Sequence, residues 1–154
     1  QADSLGMGQP NQEEKNIHWA GRVEIYKCTK CQTILRFPRI NNPASLLDTK
    51  KGRCGEWANC FGLICRSMGF DTRWVIDYTD HVWVEVWCDS QKRYLHIDPC
   101  EMVIDTPLLY EVGWKKKLSY LFSFSRFGVT DSTSRYSRHI NGENSIEMRQ
   151  RRSE

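Results

Sequence analysis

The sequence predicts an α+β fold in which an amphipathic helix packs on an antiparallel sheet, and three observations carry that reading. Apolar residues recur at steps of three and four through Trp57, Cys60, Phe61, Ile64, Cys65 and Met68, the spacing of one helix face. The segments FDTRWVIDY (70–78), HVWVEVWC (81–88) and RYLHID (93–98) then alternate as strands do. With 154 residues, 40% apolar and 12% aromatic, the chain has material for a real core.

Taken in order, residues 1–20 (QADSLGMGQPNQEEKNIHWA) are polar, rich in turn formers and without helical or strand period, so they read as loop or linker. Residues 21–136 are dense and alternating, the folded body. After Tyr136 the text is polar, with Ile140, Ile146 and Met148 as its only apolar anchors, so 137–154 reads as a tail or marginal helix. A chain that starts at Gln1 without an initiator Met is expected to be a piece of something longer.

Composition narrows the class further. No apolar run approaches the roughly 20 residues that a bilayer span takes, so no membrane segment is expected. A net charge of +3 gives no argument for nucleic acid, and the two basic runs, KKK at 115–117 and RQRR at 149–152, read as solvated faces. Seven cysteines at scattered spacings do not resemble a small disulfide scaffold, which points to a reducing compartment.

The predicted helix opens at Cys54 in KGRCGEWANCF and stops at Gly69, since glycine tolerates the left-handed conformation that ends helices. Cys54 then lies in the first turn, where unpaired amide N–H groups and the helix dipole favour a thiolate. Cys60 and Cys65 fall on or beside the buried stripe and read as small core residues. If DSQK at 89–92 turns a hairpin with Cys88 opposite Arg93, Val84 meets Ile97 and Val86 meets Leu95 on an aliphatic, core-facing side. The other side carries His81, Trp83 and Glu85 beside Asp98, His96 and Tyr94. Asp98 is diagonal to His81, within side-chain reach, and a slip of one residue would bury these polar groups.

A thiol at a helix start, a strand imidazole and a neighbouring carboxylate are what acyl transfer by a thiol requires: nucleophile, proton carrier, and a group that fixes the imidazole's tautomer. Taken singly, His81 reads first as a structural histidine, and Asp98 before Pro99 equally as a turn cap. The combination of helix terminus and shared strand face favours Cys54, His81 and Asp98 as a catalytic set.

KGRCGEWANCF, TDHVWVEV and LHIDPCE, with RFPRINNP upstream and TPLLYEVGWKKKLSY downstream, resemble the transglutaminase-like (papain-like) core of cytoplasmic peptide:N-glycanases from about Gly21 to Tyr136. The resemblance implies Cys54 as nucleophile, His81 as general base and Asp98 as its orienting partner, with Arg73, Trp83 and Glu85 as active-site or cleft residues. Trp83 as a plain core tryptophan stays open. It also implies an amidase acting on the bond between an N-linked glycan and asparagine in misfolded glycoproteins, in the cytoplasm and in ER-associated degradation, with ubiquitin-shuttle and proteasome-related partners. Backbone N–H at the start of the Cys54 helix can form part of an oxyanion hole. Trp19 is the candidate for its second donor, by analogy with an upstream tryptophan in the wider transglutaminase group.

YKCTKC (26–31) is a second constellation. One C-x-x-C pair is half of a tetrahedral zinc site. The resemblance implies a second such pair, which this chain lacks, so Cys28 and Cys31 are read as structural zinc ligands of an incomplete site that Cys88 and Cys100 are not expected to complete. A cross-linking transglutaminase or cysteine protease would use the same triad on another amide. A non-catalytic interaction module on the same fold is the third reading.

Overall fold

Polar composition conceals regular structure in the first twenty residues. Ala2–Gly8 form a strand (β1) and Gln12–Asn16 a short helix (α1), where the sequence suggests a linker. β1 finds its partner elsewhere in the chain, pairing antiparallel with β2 (Val23–Cys28), which pairs in turn with β3 (Ile34–Pro38). One alternation pattern cannot report such pairing, because β1 is nearly all exposed. α1 is secured by a capping box: the Asn11 side chain accepts from the Glu14 N–H at 2.8 Å, and the Glu14 carboxylate accepts from the Asn11 N–H at 2.7 Å.

The structure, a computed structural model, describes residues 1–138, so most of the predicted tail and its basic run at 149–152 lie outside the described residues. The chain divides into two compact units, residues 1–60 and residues 61 onward. The three-stranded sheet belongs to the first. Helix α2 (Pro43–Thr49) follows it, with Asn42 accepting from the Ala44 N–H, Pro43 in its first turn, and a left-handed Lys50 at its end. In RFPRINNP, then, the asparagines tie the chain down: Asn41 donates to the Trp19 carbonyl at 3.0 Å and Asn42 to that of Ile17 at 2.8 Å.

Helix α3 runs Cys54–Ser67, with Cys54 as its first residue. Its end is a Schellman motif on Gly69 (φ +86°): the Gly69 N–H donates to the Arg66 carbonyl and the Phe70 N–H to that of Cys65, each at 3.0 Å. The buried line differs from the predicted stripe. Ala58, Cys60 and Cys65 are buried and Trp57 and Phe61 half-buried, but Ile64 is 38% and Met68 69% exposed. Gly62 explains the phase: a Cβ there would lie 3.4 Å from Val84 Cγ1, so the backbone at Gly62 and not the Ile64 side chain faces the sheet.

The second unit is built on a six-stranded antiparallel sheet ordered β7-β6-β5-β4-β8-β9. Its strands are β4 (Thr72–Asp77), β5 (His81–Cys88), β6 (Arg93–Asp98), β7 (Val103–Ile104), β8 (Leu121–Ser125) and β9 (Gly128–Asp131), followed by the short helix α4 (Thr133–Tyr136). The β5–β6 register is the predicted one, with Val84 opposite Ile97, Val86 opposite Leu95 and Cys88 opposite Arg93. The predicted aliphatic side is buried at Val82, Val84 and Val86 and half-buried at Leu95 and Ile97, but the opposite face is not open: Trp83, Glu85, His96 and Asp98 are fully buried on it. There Val75, Trp83, Tyr110, Leu118, Leu121 and Tyr136 form the main apolar cluster. Polar groups tolerate this burial because neighbours satisfy them. Lys116 shows the same effect inside a run read as a solvated face: its Nζ lies 2.6 Å from the buried carboxylate of Asp77.

Candidate active site

His81 opens β5 and Asp98 closes β6, and the register brings them together: His81 Nε2 lies 2.7 Å from Asp98 Oδ2, with both residues buried. A carboxylate at Nε2 fixes the Nε2–H tautomer and leaves Nδ1 as the basic nitrogen of the ring. Asp98 Oδ2 also accepts from the Tyr110 hydroxyl at 2.7 Å, and Oδ1 from the backbone N–H groups of Cys100 (2.9 Å) and Glu101 (3.2 Å). Asp98 thus caps its turn and meets the His81 ring at the same time. Burial alone would raise its pKa; the bonds from His81 and Tyr110 outweigh that and hold the carboxyl below its usual range.

Aromatic rings frame the imidazole. Tyr110 and Trp114 approach His81 edge-on with centroids 5.1 and 5.0 Å away, and Trp83 stacks on Tyr110 at 4.3 Å. Tyr110 stands in a π-helical turn (Leu109–Gly113), and the sequence reading missed its role. Its one signal was a hydroxyl in the apolar context PLLYEV, since a buried tyrosine hydroxyl needs a partner.

Arg73, Trp83 and Glu85 fall on the same sheet face, but not as groups open to a cleft. Trp83 and Glu85 are fully buried. Arg73 binds the Glu85 carboxylate at 2.6 Å and lies over the Tyr94 ring. Tyr136 accepts from the Trp83 indole (2.9 Å) and donates to Glu85 (2.8 Å), while Ser123 donates to Glu85 at 3.2 Å. Burial leaves Trp83 and Glu85 no exposed surface in this structure, and Arg73 is engaged by Glu85 beside them.

In the first unit, Cys54 begins α3 as a half-buried thiol. The helix start is held by charge. The Glu56 carboxylate accepts from the Arg53 N–H (2.8 Å) and from Arg39 Nε (2.6 Å), and Arg39 also reaches Glu24 at 3.2 Å. Arg53 pairs with Glu24 too. That bond is the main reason the Glu24 carboxyl drops to about 2, against the cost of burial and with help from Tyr26. Gly52 is required by close approach: a Cβ there would meet Glu56 Cβ at 2.8 Å and Leu46 Cδ1 at 2.9 Å. None of these arginine and glutamate roles was read from the sequence, although RFPR and GEW were noted as motifs.

Trp19, also in the first unit, is 58% exposed and at φ +53°, an uncommon conformation for a bulky residue. Cys28 ends β2 and Cys31 lies in the exposed turn to β3. Hydrogen bonding from Thr33, then from Cys28, holds the Cys31 thiol down at about 7. The two thiols share one turn, as a C-x-x-C half-site requires, and among the described residues no third histidine, cysteine or carboxylate joins them in a cluster that could hold a metal. The donor set thus fits half of a tetrahedral zinc site.

Residues 6–99 match the family described as the Transglutaminase-like superfamily, and residues 78–154 match the Rad4 transglutaminase-like domain. The chain belongs to the transglutaminase-like superfamily. Within that superfamily it is similar to curated proteins named peptide-N(4)-(N-acetyl-beta-glucosaminyl)asparagine amidase. Identity is 56% to the Arabidopsis thaliana protein over 86% of this chain, 60% to that of Gallus gallus over 80%, and 57% to that of Homo sapiens over 83%. The matched region is 18%, 19% and 19% of those proteins, so the chain spans about a fifth of their length. A transglutaminase-like core with a cysteine at a helix start and a buried His–Asp pair can perform thiol-based acyl transfer.

Proposed function

We propose that the chain is the catalytic core of an amidase that cleaves the bond between an N-linked glycan and the asparagine side chain of misfolded glycoproteins. The observation that supports this reading is the buried His81–Asp98 pair at 2.7 Å, on a hairpin whose register brings the two side chains together. The similarity to asparagine amidases supports the choice of amide.

In this reading the Cys54 thiolate attacks the asparagine side-chain carbonyl, and the backbone N–H groups at the α3 start take the developing oxyanion, with the Trp19 indole as second donor. The C–N bond then breaks, the glycosylamine leaves with a proton from the His81 imidazolium, and a thioester remains on Cys54. Water, deprotonated by His81, hydrolyses the thioester and returns the thiol. Asparagine becomes aspartate. Asp98 keeps its charge throughout and stabilises the imidazolium. Arg73, Trp83 and Glu85 serve by holding the sheet face under the pair.

Cys28 and Cys31 would hold a structural zinc with a second pair of thiolates supplied from outside this chain. Zinc there would clamp the β2–β3 turn and take no part in the chemistry. The cytoplasm is the compartment in which seven cysteines without a disulfide pattern and misfolded glycoproteins returned for degradation coincide, with ubiquitin-shuttle and proteasome-related proteins as the expected partners.

The test is to incubate the chain with a denatured glycopeptide and weigh the product. Release of the whole glycan with aspartate replacing asparagine supports the amidase. Peptide-bond cleavage would point to a protease, and amine incorporation to a cross-linking transglutaminase. The match to the Rad4 domain favours one further reading, a non-catalytic interaction module, which predicts no product at all.

A further inference from the structure

The buried group that the mechanism leaves unused is His96. Its Nε2 lies 2.7 Å from the Tyr110 hydroxyl, and its Nδ1 accepts from the Thr106 N–H at 3.3 Å. We infer that His96 and Tyr110 are positioning residues of the proposed amidase, forming a one-way hydrogen-bond chain, Thr106 to His96 to Tyr110 to Asp98, that fixes the carboxylate which orients His81. This rests on the function proposed above for its catalytic meaning, but not for its geometry.

The direction of the chain follows from donor and acceptor counting. A backbone N–H can only donate, so the Thr106 contact requires an unprotonated Nδ1 on His96. In a neutral ring the proton then sits on Nε2, and Nε2–H must donate to the Tyr110 oxygen. The single Tyr110 proton is thereby directed away from His96, and the acceptor 2.7 Å away is Asp98 Oδ2. The opposite polarity, Tyr110 donating to His96, would place an Nδ1–H head-on against the Thr106 N–H.

The ring is neutral for reasons of its surroundings. Desolvation comes first and Arg135 adds to it, while Asp98, Glu85 and Asp105 pull the other way; the balance leaves the His96 pKa at about 4. A charged His96 would donate at both nitrogens and meet the Thr106 N–H with a proton. Trp83 and Tyr136 pack edge-on against the ring and exclude other partners.

For the base, the consequence is a shared oxygen. Asp98 Oδ2 receives both Tyr110 O–H and His81 Nε2–H, so its basicity is divided and the shared proton stays on His81. With Tyr110 pinned by His96, the hydroxyl cannot turn away and leave Asp98 to draw that proton.

The test uses the full chain labelled with nitrogen-15 in histidine. His96 should appear as the neutral Nε2–H tautomer throughout the range from about pH 5 to 8. Tyr110→Phe removes one donor from Oδ2, so the His81 Nε2–H proton should move downfield, and kcat for a denatured glycopeptide should fall about tenfold with KM unchanged. His96→Leu should reproduce both effects, and His96→Gln, whose amide can donate to Tyr110, should restore them. An Nδ1–H or charged His96 at neutral pH would overturn the inference, as would a His81 resonance indifferent to Tyr110→Phe. The tautomer is read on the unsubstituted chain, so misfolding of a variant does not remove the test. If that chain shows the expected resonances but releases no glycan, the proposed substrate fails and the hydrogen-bond chain stands.

Discussion

At the residue scale, the site depends on what each side chain can donate or accept. Cys54→Ala removes a half-buried thiol from a helix start, so glycan release should be abolished while the melting temperature changes little. Normal release by that variant would remove Cys54 from the mechanism. Asp98→Asn keeps the shape but presents an amide N–H or a weaker acceptor to Nε2, letting His81 adopt the wrong tautomer. The expected loss in kcat is about three to four orders of magnitude, with Cys54 still alkylated by iodoacetamide. The place of Cys54 at a helix start and the meeting of His81 with Asp98 were legible in the sequence, because a thiol after glycine and arginine, and a histidine and aspartate on one face of a hairpin, survive small errors in distance. Tyr110 was not, since nothing local to TPLLYEV tells which carboxylate its hydroxyl meets. Trp83 and Glu85 were placed on the correct face, but their full burial was not foreseen, because alternation reports the side of a sheet and not what covers it.

At the element scale, α3 shows where periodicity stops being informative. Its ends were legible, since the first-turn cysteine and Gly69 act locally, and the Schellman bonds realise the glycine signal. Its buried phase was not, because a residue without a side chain, Gly62, faces Val84, while Ile64 and Met68 are exposed. The β5–β6 register was legible in full, since one turn position fixes every later pair. Arg39→Ala should strip the α3 start of its clamp, leaving Glu56 and part of Glu24 uncompensated. A loss of about 2 kcal/mol is expected for so nearly buried a pair, measured as a lower urea midpoint together with a changed Cys54 alkylation rate. An unaltered alkylation rate would show that Arg39 braces the fold without positioning the thiol. Gly69→Ala, strained at φ +86° but sterically open, should cost about 1 kcal/mol with alkylation unchanged.

At the scale of the whole molecule, the two units carry different responses to acid. His96 in the second unit has a folded pKa of about 4 against 6.5 for the ordinary group, so the unfolded chain binds its proton first and stability falls as pH drops from about 6.5 to 4. Glu24 in the first unit is depressed from 4.5 to about 2, so its contribution is complete above 4.5 and is lost as pH falls through 2. Hydrogen exchange against pH should therefore show protection in β5 and β6 declining before protection in β2, and the reverse order would contradict both assignments. The linker reading of residues 1–20 failed at this scale, because a strand whose partner lies twenty residues away has no signature in its own alternation. The sheet order also separates near neighbours in sequence from distant ones. Pairings β4–β5, β5–β6, β6–β7 and β8–β9 join consecutive strands, while β4–β8 alone closes across the intervening chain, and Tyr110 rides in that closing loop. Closure of the longest loop is the slow event in assembling such a sheet. The hydroxyl that completes the hydrogen bonding of Asp98 thus sits in the segment that the β4–β8 pairing closes, so a substitution that weakens that pairing should also loosen the tyrosine from the carboxylate.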